Sequence, residues 1–309
     1  MFRRASCAVL LLTLLALCAS AQIANNPRMG TAAYLSYNPS TSNFDLKQPI
    51  LYQLPNPAVF GPGPYPVFVW TPGTFEAYVD PLSLLFVSQM AQRGFLAASV
   101  QYSNTQTLAQ TCFAYTQRAQ GVFDAARSTS AVSTLCALSS AQCGRGVVAA
   151  GISQGGMLAV LARNYAPSVK AAYALSTGDY NQAGVGVNLA SCMGKQNTTI
   201  PANRLTIVNG QADPSFGSQA SIEGASGIAC PSGSSQCWSP DGSGAGWYLV
   251  QNSQVTDGTA DHCYIDVGGC NDRFDPNWLP PAASNWSLRP NLDWLATFGA
   301  MRVFSPNGQ

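Results

Sequence analysis

Charge is scarce in this chain. Asp, Glu, Lys and Arg make up only 9% of its 309 residues, against roughly a quarter in an ordinary globular protein. The 15 basic and 14 acidic residues nearly cancel, and no basic cluster stands out. That balance argues against nucleic acid and against an anionic membrane surface as partners. It also disfavours a highly ionic substrate. Histidine is rarer still, with His262 alone. No CxxC pair occurs, so the common zinc spacings are missing and no metal site is expected. Long apolar runs are missing too. The run that follows Arg3 and Arg4 is too short for an ordinary membrane-spanning helix. Repeats and linker-like stretches are lacking, so one domain over 22–309 is expected.

That early run is informative in another way. A positive start, an apolar stretch and the small residues Ala19-Ser20-Ala21 read as a signal peptide over 1–21. No membrane span is then expected in the mature chain, and its place is extracellular or another oxidising compartment. Removing Arg3 and Arg4 turns the formal charge from +1 to −1. Cys7 and Cys18 leave with the leader, and an even set of eight remains, as suits disulfides in an exported chain. Cys136/Cys143, Cys230/Cys237 and Cys263/Cys270 share one spacing, which suggests three local bridges and leaves Cys112 for Cys192. Asn197-Thr198-Thr199 and Asn285-Trp286-Ser287 fit the N-glycosylation acceptor pattern.

Strand-like and helix-like segments alternate along the rest. Segments 31–37, 50–54, 66–70 (PVFVW), 95–102 (FLAASVQY), 146–151, 169–175, 204–210 (RLTIVNG) and 247–255 read as strands. Helical spacing covers 80–92, with Asp80 as cap and Pro81 at the first position, and also 112–138, 155–165 and 291–304. A Gly/Ser-rich stretch, 217–246, reads as an excursion at the rim. Parallel strands buried on both faces appear as continuous apolar runs, and VFVW, VVAAG and LTIV fit that. The expected class is α/β with a mostly parallel central sheet and helices on both faces.

One apolar run, VVAAGI, stops at Ser153 and restarts as a helix. Gly151-Ile152-Ser153-Gln154-Gly155 matches G-x-S-x-G, the turn that exposes a serine hydroxyl between a strand and a helix. Gly151 and Gly155 leave room for that turn, and Gly156 lets the helix lie close. Such a hydroxyl needs a base, and His262 lies just past the last strand. The base needs an acid to orient it. Asp213 follows strand 204–210, and Asp179, after the preceding strand, is the alternative. Asp257 and Asp261 are near His262 only in sequence.

The chain order Ser153, Asp213, His262 and the GISQGG turn resemble the α/β-hydrolase superfamily over about 66–298. The turn is similar to that of carboxylesterase, thioesterase and dienelactone-hydrolase branches, and the exported, cysteine-bearing form to cutinase-like esterases. The resemblance implies an α/β-hydrolase fold and an acyl-enzyme on Ser153. It also implies an oxyanion hole from the N–H of Gln154 and that of Thr74 or Phe75. Many relatives have His-Gly at this last loop, where this chain has Thr71-Pro72-Gly73-Thr74. The implied partner is a small-molecule or polymeric ester, with no cofactor required. A peptidase or an acyltransferase would use the same three groups, and a non-catalytic binding protein could share the fold. Phe75, Tyr78, Tyr102, Trp238 and Trp247 are candidates for lining a cleft.

Overall fold

The structure is a computed structural model that describes residues 28–104, 111–179, 181–182 and 187–299. The segment read as a signal peptide lies outside the described residues. Strands β1 (Met29–Asn38) and β2 (Asn43–Gln53) form a hairpin, followed by the short helix α1 (Pro57–Phe60). Next come β3 (Val67–Thr71), α2 (Pro81–Ala91), β4 (Leu96–Val100), α3 (Cys112–Phe123) and α4 (Ala131–Cys136). The centre of the chain supplies β5 (Val147–Ile152), α5 (Gln154–Tyr165) and β6 (Val169–Leu175). A separate pair, β7 (Asn181–Gln182) and β8 (Val187–Asn188), precedes α6 (Ala190–Met193). The last elements are β9 (Leu205–Gly210), α7 (Gln219–Ser226), β10 (Gln236–Trp238), β11 (Gly246–Val250) and α8 (Leu288–Ala296).

Nine strands form one sheet in the order β1-β2-β4-β3-β5-β6-β9-β11-β10. Pairing is parallel from β4 through β11, while β1, β2 and β10 are antiparallel additions at the two ends. Every residue of β3, β4, β5 and β9 is buried, as expected of strands covered on both faces. One face carries α3 and α5, with Tyr115, Val122, Leu158 and Leu161 in its core. The other carries α2 and α8, where Phe86 stacks on Trp70 at 3.8 Å beside Leu292 and Leu295. Aromatic stacks of this kind add about 1 kcal/mol beyond area burial. The sheet order, its helical layers and the strand–serine–helix turn after β5 make this an α/β-hydrolase fold.

Several sequence expectations need correction. The long helix over 112–138 is two helices. Asp124 ends α3 in an extended conformation and its carboxylate accepts from Ala126 N, after which Ser130 caps α4 through Ser133 N. Asp80 is the N-cap residue of α2 with Pro81 after it, as expected, but its side chain makes no capping bond, because its Oδ2 accepts from Ala77 N instead. The stretch 217–246 is more than a loop, since α7 and the edge strand β10 lie within it. Among the described residues the last helix is α8, Leu288–Ala296, and the part of the expected 291–304 helix beyond 299 lies outside them. The four expected cysteine pairs are all bonded: Cys112–Cys192, Cys136–Cys143, Cys230–Cys237 and Cys263–Cys270. Asn197 and Asn285 are both exposed. No helix among the described residues is long and apolar enough to cross a membrane.

Candidate active site

The carboxyl ends of parallel strands are where α/β sheets gather their ligands. Ser153 lies directly beyond β5, with φ 55° and ψ −121°. That backbone region is nearly closed to side-chain-bearing residues, so the turn is strained and held by its surroundings. The flanking glycines are required sterically. A Cβ on Gly155 would lie 2.0 Å from Thr71 O, and one on Gly151 would lie 2.3 Å from Gly155 O. Thr71 Oγ1 donates to Gly155 O at 2.8 Å, tying β3 to the first turn of α5.

Asp213 sits three residues past β9 and is 5% exposed. Its Oδ1 accepts from Ser215 N at 2.8 Å and Phe216 N at 3.0 Å. Its Oδ2 lies 2.7 Å from His262 Nδ1. Ser176 Oγ donates to His262 O at 2.6 Å, and the Phe216 ring packs against the imidazole. The alternative acid, Asp179, makes no bond to His262 among the described residues; it lines a polar cleft with Ser218, Ser221 and the far side of Asp213. Asp261 accepts from Cys263 N, and Asp257 from Thr259 N and Gly268 N, so both are turn formers. Ser153 and His262 line the same cavity, of about 290 Å³. They form no hydrogen bond among the described contacts; such bonds are commonly long before substrate arrives.

The two backbone donors can be told apart. Gln154 opens α5, so its N–H is one of those without a helical acceptor. Phe75 N donates to Asn104 O at 3.3 Å, whereas no acceptor for Thr74 N is found among the described residues. Of the two loop residues, Thr74 is therefore the one with a free donor. Gln154 Nε2 donates to Thr74 Oγ1 at 3.2 Å and links the two residues. Asn104 braces the loop through Gly73 O and Glu76 O, and Tyr102 through Pro72 O. Asn104 went unnoticed in the sequence, where nothing marks a lone Asn after a strand as a brace.

The aromatic candidates are mostly elsewhere. Trp247 is buried within β11 and donates to Ile228 O, and Tyr102 is buried at its brace. Trp238 stands on the edge strand β10. Tyr78 does not line the cavity, and Phe75 alone of the five does, 65% exposed and at φ 65°. The rest of the wall is rich in carboxyl groups despite the low overall charge. Glu76, Asp80, Asp266 and Asp272 all line the cavity. Burial pushes the Glu76 carboxyl up to about 7, against its bond from Gly73 N and with the help of Asp80, Asp272 and Asp266. Burial raises Asp272 to about 6, with Asp80 and Asp266 adding to it. Asp80 and Asp266 are also raised, chiefly by burial.

No protein-family model matches the chain, and no curated protein does. Several solved structures resemble it. Est1E from Butyrivibrio proteoclasticus is 14% identical at a TM-score of 0.41, over 60% of this chain and 79% of that one. Pyrococcus horikoshii acylaminoacyl peptidase is 13% identical at 0.43, over 64% of this chain and 33% of the peptidase. A hypothetical protein from Pseudomonas aeruginosa is 16% identical at 0.38, over 55% of this chain and 47% of that one. The chain thus spans about half the length of the last and a third of the peptidase.

Proposed function

We propose that the protein is an exported serine hydrolase that cleaves carboxylic esters through an acyl-enzyme on Ser153. The observation that carries this reading is the 2.7 Å contact between Asp213 and His262, whose ring lines the same cavity as the strained Ser153. Asp213 holds the imidazole with its Nδ1 protonated, so Nε2 is left to accept the Ser153 proton. Ser153 Oγ attacks the acyl carbon, and the N–H groups of Gln154 and Thr74 receive the developing oxyanion. The alcohol leaves with the proton from His262, and water cleaves the acyl-enzyme by the same steps. None of these steps calls for a cofactor. Four disulfides support export to an oxidising compartment. The partner is a small-molecule or polymeric ester.

A panel of chromogenic esters of graded acyl length, run on the protein and on Ser153→Ala, tests the reading together with labelling by a fluorophosphonate. Turnover that disappears with the serine, and a label mapped to Ser153, are expected. Hydrolysis that survives the substitution would refute it. Cleavage of peptides without ester turnover, or acyl transfer to an acceptor other than water, would reassign the chemistry.

A further inference from the structure

His262 sits in a turn beyond β11, where no strand or helix holds it. Its side chain is 33% exposed, and Asp213 grips the ring at one nitrogen only. A base placed this way can swing away from Ser153 unless its backbone is also held. The end of β6 supplies such a hold. Leu175 O accepts from Ser153 N at 2.9 Å, and the next residue, Ser176, donates its hydroxyl to His262 O at 2.6 Å. Two consecutive residues thus grip the nucleophile on one side and the base on the other. Thr177 extends the grip to the acid. Its N–H donates to Asn209 Oδ1 and its carbonyl accepts from Asn209 Nδ2, which also donates to Phe216 O. Phe216 N is in turn a donor to Asp213 Oδ1.

Ser176 is the unusual member of this tripeptide. It is fully buried and lies at φ 48°, in the left-handed region that favours glycine. A side-chain-bearing residue there is strained, and such positions gather at functional sites. Two of the other positive-φ residues, Ser153 and Phe75, belong to the nucleophile turn and the oxyanion loop. Glycine would fit the backbone of Ser176 without strain. What glycine lacks is the hydroxyl, whose partner among the described residues is His262 O. The backbone of Ser176 is anchored independently, since its N–H donates to Val208 O and ties β6 to β9. The side chain is therefore not needed to close the sheet. Nor does Ser176 line the cavity, so any effect it has on the chemistry passes through His262.

We propose that Ser176 is a positioning residue for the proton transfer: its hydroxyl fixes the backbone of His262 while Leu175 O fixes that of Ser153, and the two together set the separation of base from nucleophile. This role rests on the ester-hydrolase reading above and deepens it. Loss of the hydroxyl frees the turn that bears His262, and a misplacement of about 1 Å at a reacting group costs about a hundredfold in rate. Substrate binding is left as it was, because Ser176 lies outside the cavity.

Ser176→Ala and Ser176→Gly remove the hydroxyl, and Ser176→Cys keeps its shape with a weaker donor. With p-nitrophenyl butyrate, kcat should fall at least about tenfold in the first two, with KM within about twofold, and Ser176→Cys should lie between them and the original protein. Fluorophosphonate labelling of Ser153, which needs the base but no particular substrate, should slow by the same factor as kcat. Ser176→Gly should melt within about 3 °C of the original protein, since the lost bond and the relieved strain oppose each other. A role confined to stability requires the reverse, a lower melting temperature with kcat intact. Ser99→Ala is the control, because its buried hydroxyl has no partner among the described residues, and it should leave kcat unchanged. One measurement needs no variant: in the unmodified protein the backbone amide of His262 should show an NMR order parameter of about 0.85, as in rigid elements, although it lies in a turn. The proposal is overturned, while ester hydrolysis stands, by kcat and labelling within about twofold in every variant that folds, by a loss carried by KM instead of kcat, or by a His262 order parameter below about 0.6. Absence of labelling and of turnover in the unmodified protein overturns the hydrolase reading itself, and the positioning role with it.

Discussion

Replacing Asp213 by Asn isolates one proton. The two shapes match, so the contacts of Oδ1 with Ser215 N and Phe216 N can be kept by the amide oxygen. The amide NH2 then faces His262 Nδ1, where the carboxylate Oδ2 had been at 2.7 Å. Two donors cannot share that contact, so Nδ1 must give up its proton and become the acceptor. The ring proton moves to Nε2, the nitrogen that has to accept from Ser153. An imidazole in that tautomer cannot serve as the base, and a loss of about 10,000-fold in kcat is expected, or about 5.5 kcal/mol of barrier. Steady-state hydrolysis of the best chromogenic ester measures it, with the circular dichroism spectrum unchanged. Asp179→Asn is the paired control and should stay within about twofold, because the Nδ1 of His262 is engaged by Asp213 and not by Asp179. A rate for Asp213→Asn within about tenfold of the original protein would refute the assignment of the acid.

Gly155→Ala should cost about 3 kcal/mol or more in urea denaturation, because its Cβ would lie 2.0 Å from Thr71 O and 2.4 Å from Pro72 O, both backbone atoms. An unchanged midpoint would contradict the close approach of β3 to α5. Ser153→Gly should abolish hydrolysis yet raise stability by about 1 kcal/mol, since glycine adopts φ 55° without strain. A lower melting temperature would argue against strain at the turn. Glu76 carries a folded-state value of about 7 against 4.5 unfolded, so the folded protein binds the extra proton in between and loses stability as pH rises through that window. Glu76→Gln removes that loss and should gain on the original protein between pH 5 and 8, by up to about 3 kcal/mol before solvent screening. Melting curves across pH check this, and a constant difference would show that the carboxyl is not held protonated.

The serine turn was legible in the sequence because two local signals coincided: a continuous apolar run that only a doubly covered strand tolerates, and glycines spaced for a sharp turn. His262 was legible through scarcity. Asp213 and Asp179 could not be separated with certainty by sequence, since each follows a strand, and only the packing of the chain decides which one meets the imidazole. The helix after Cys112 was read as one long element because its spacing does not show where Asp124 turns the chain, and hydropathy is a poor guide there, with Phe113 63% exposed and Arg118 only 2% exposed. Trp247 was a candidate for the cleft because it directly follows a Gly/Ser-rich stretch, yet it is a core residue of β11. The acidic cavity was hidden by averaging. A chain poor in charge can still concentrate it, and Glu76 and Asp272 become neighbours only when the carboxyl ends of β3 and β11 are brought to one rim.

The bond between Cys263 and Cys270 fastens a short cassette immediately downstream of the imidazole. Asp266 lies inside it and Asp272 just beyond. Tyr264 and Ile265 inside it are core residues, so the bond and the packing beneath it together fix the turn that presents His262, while residues 267–269 lie open to exchange.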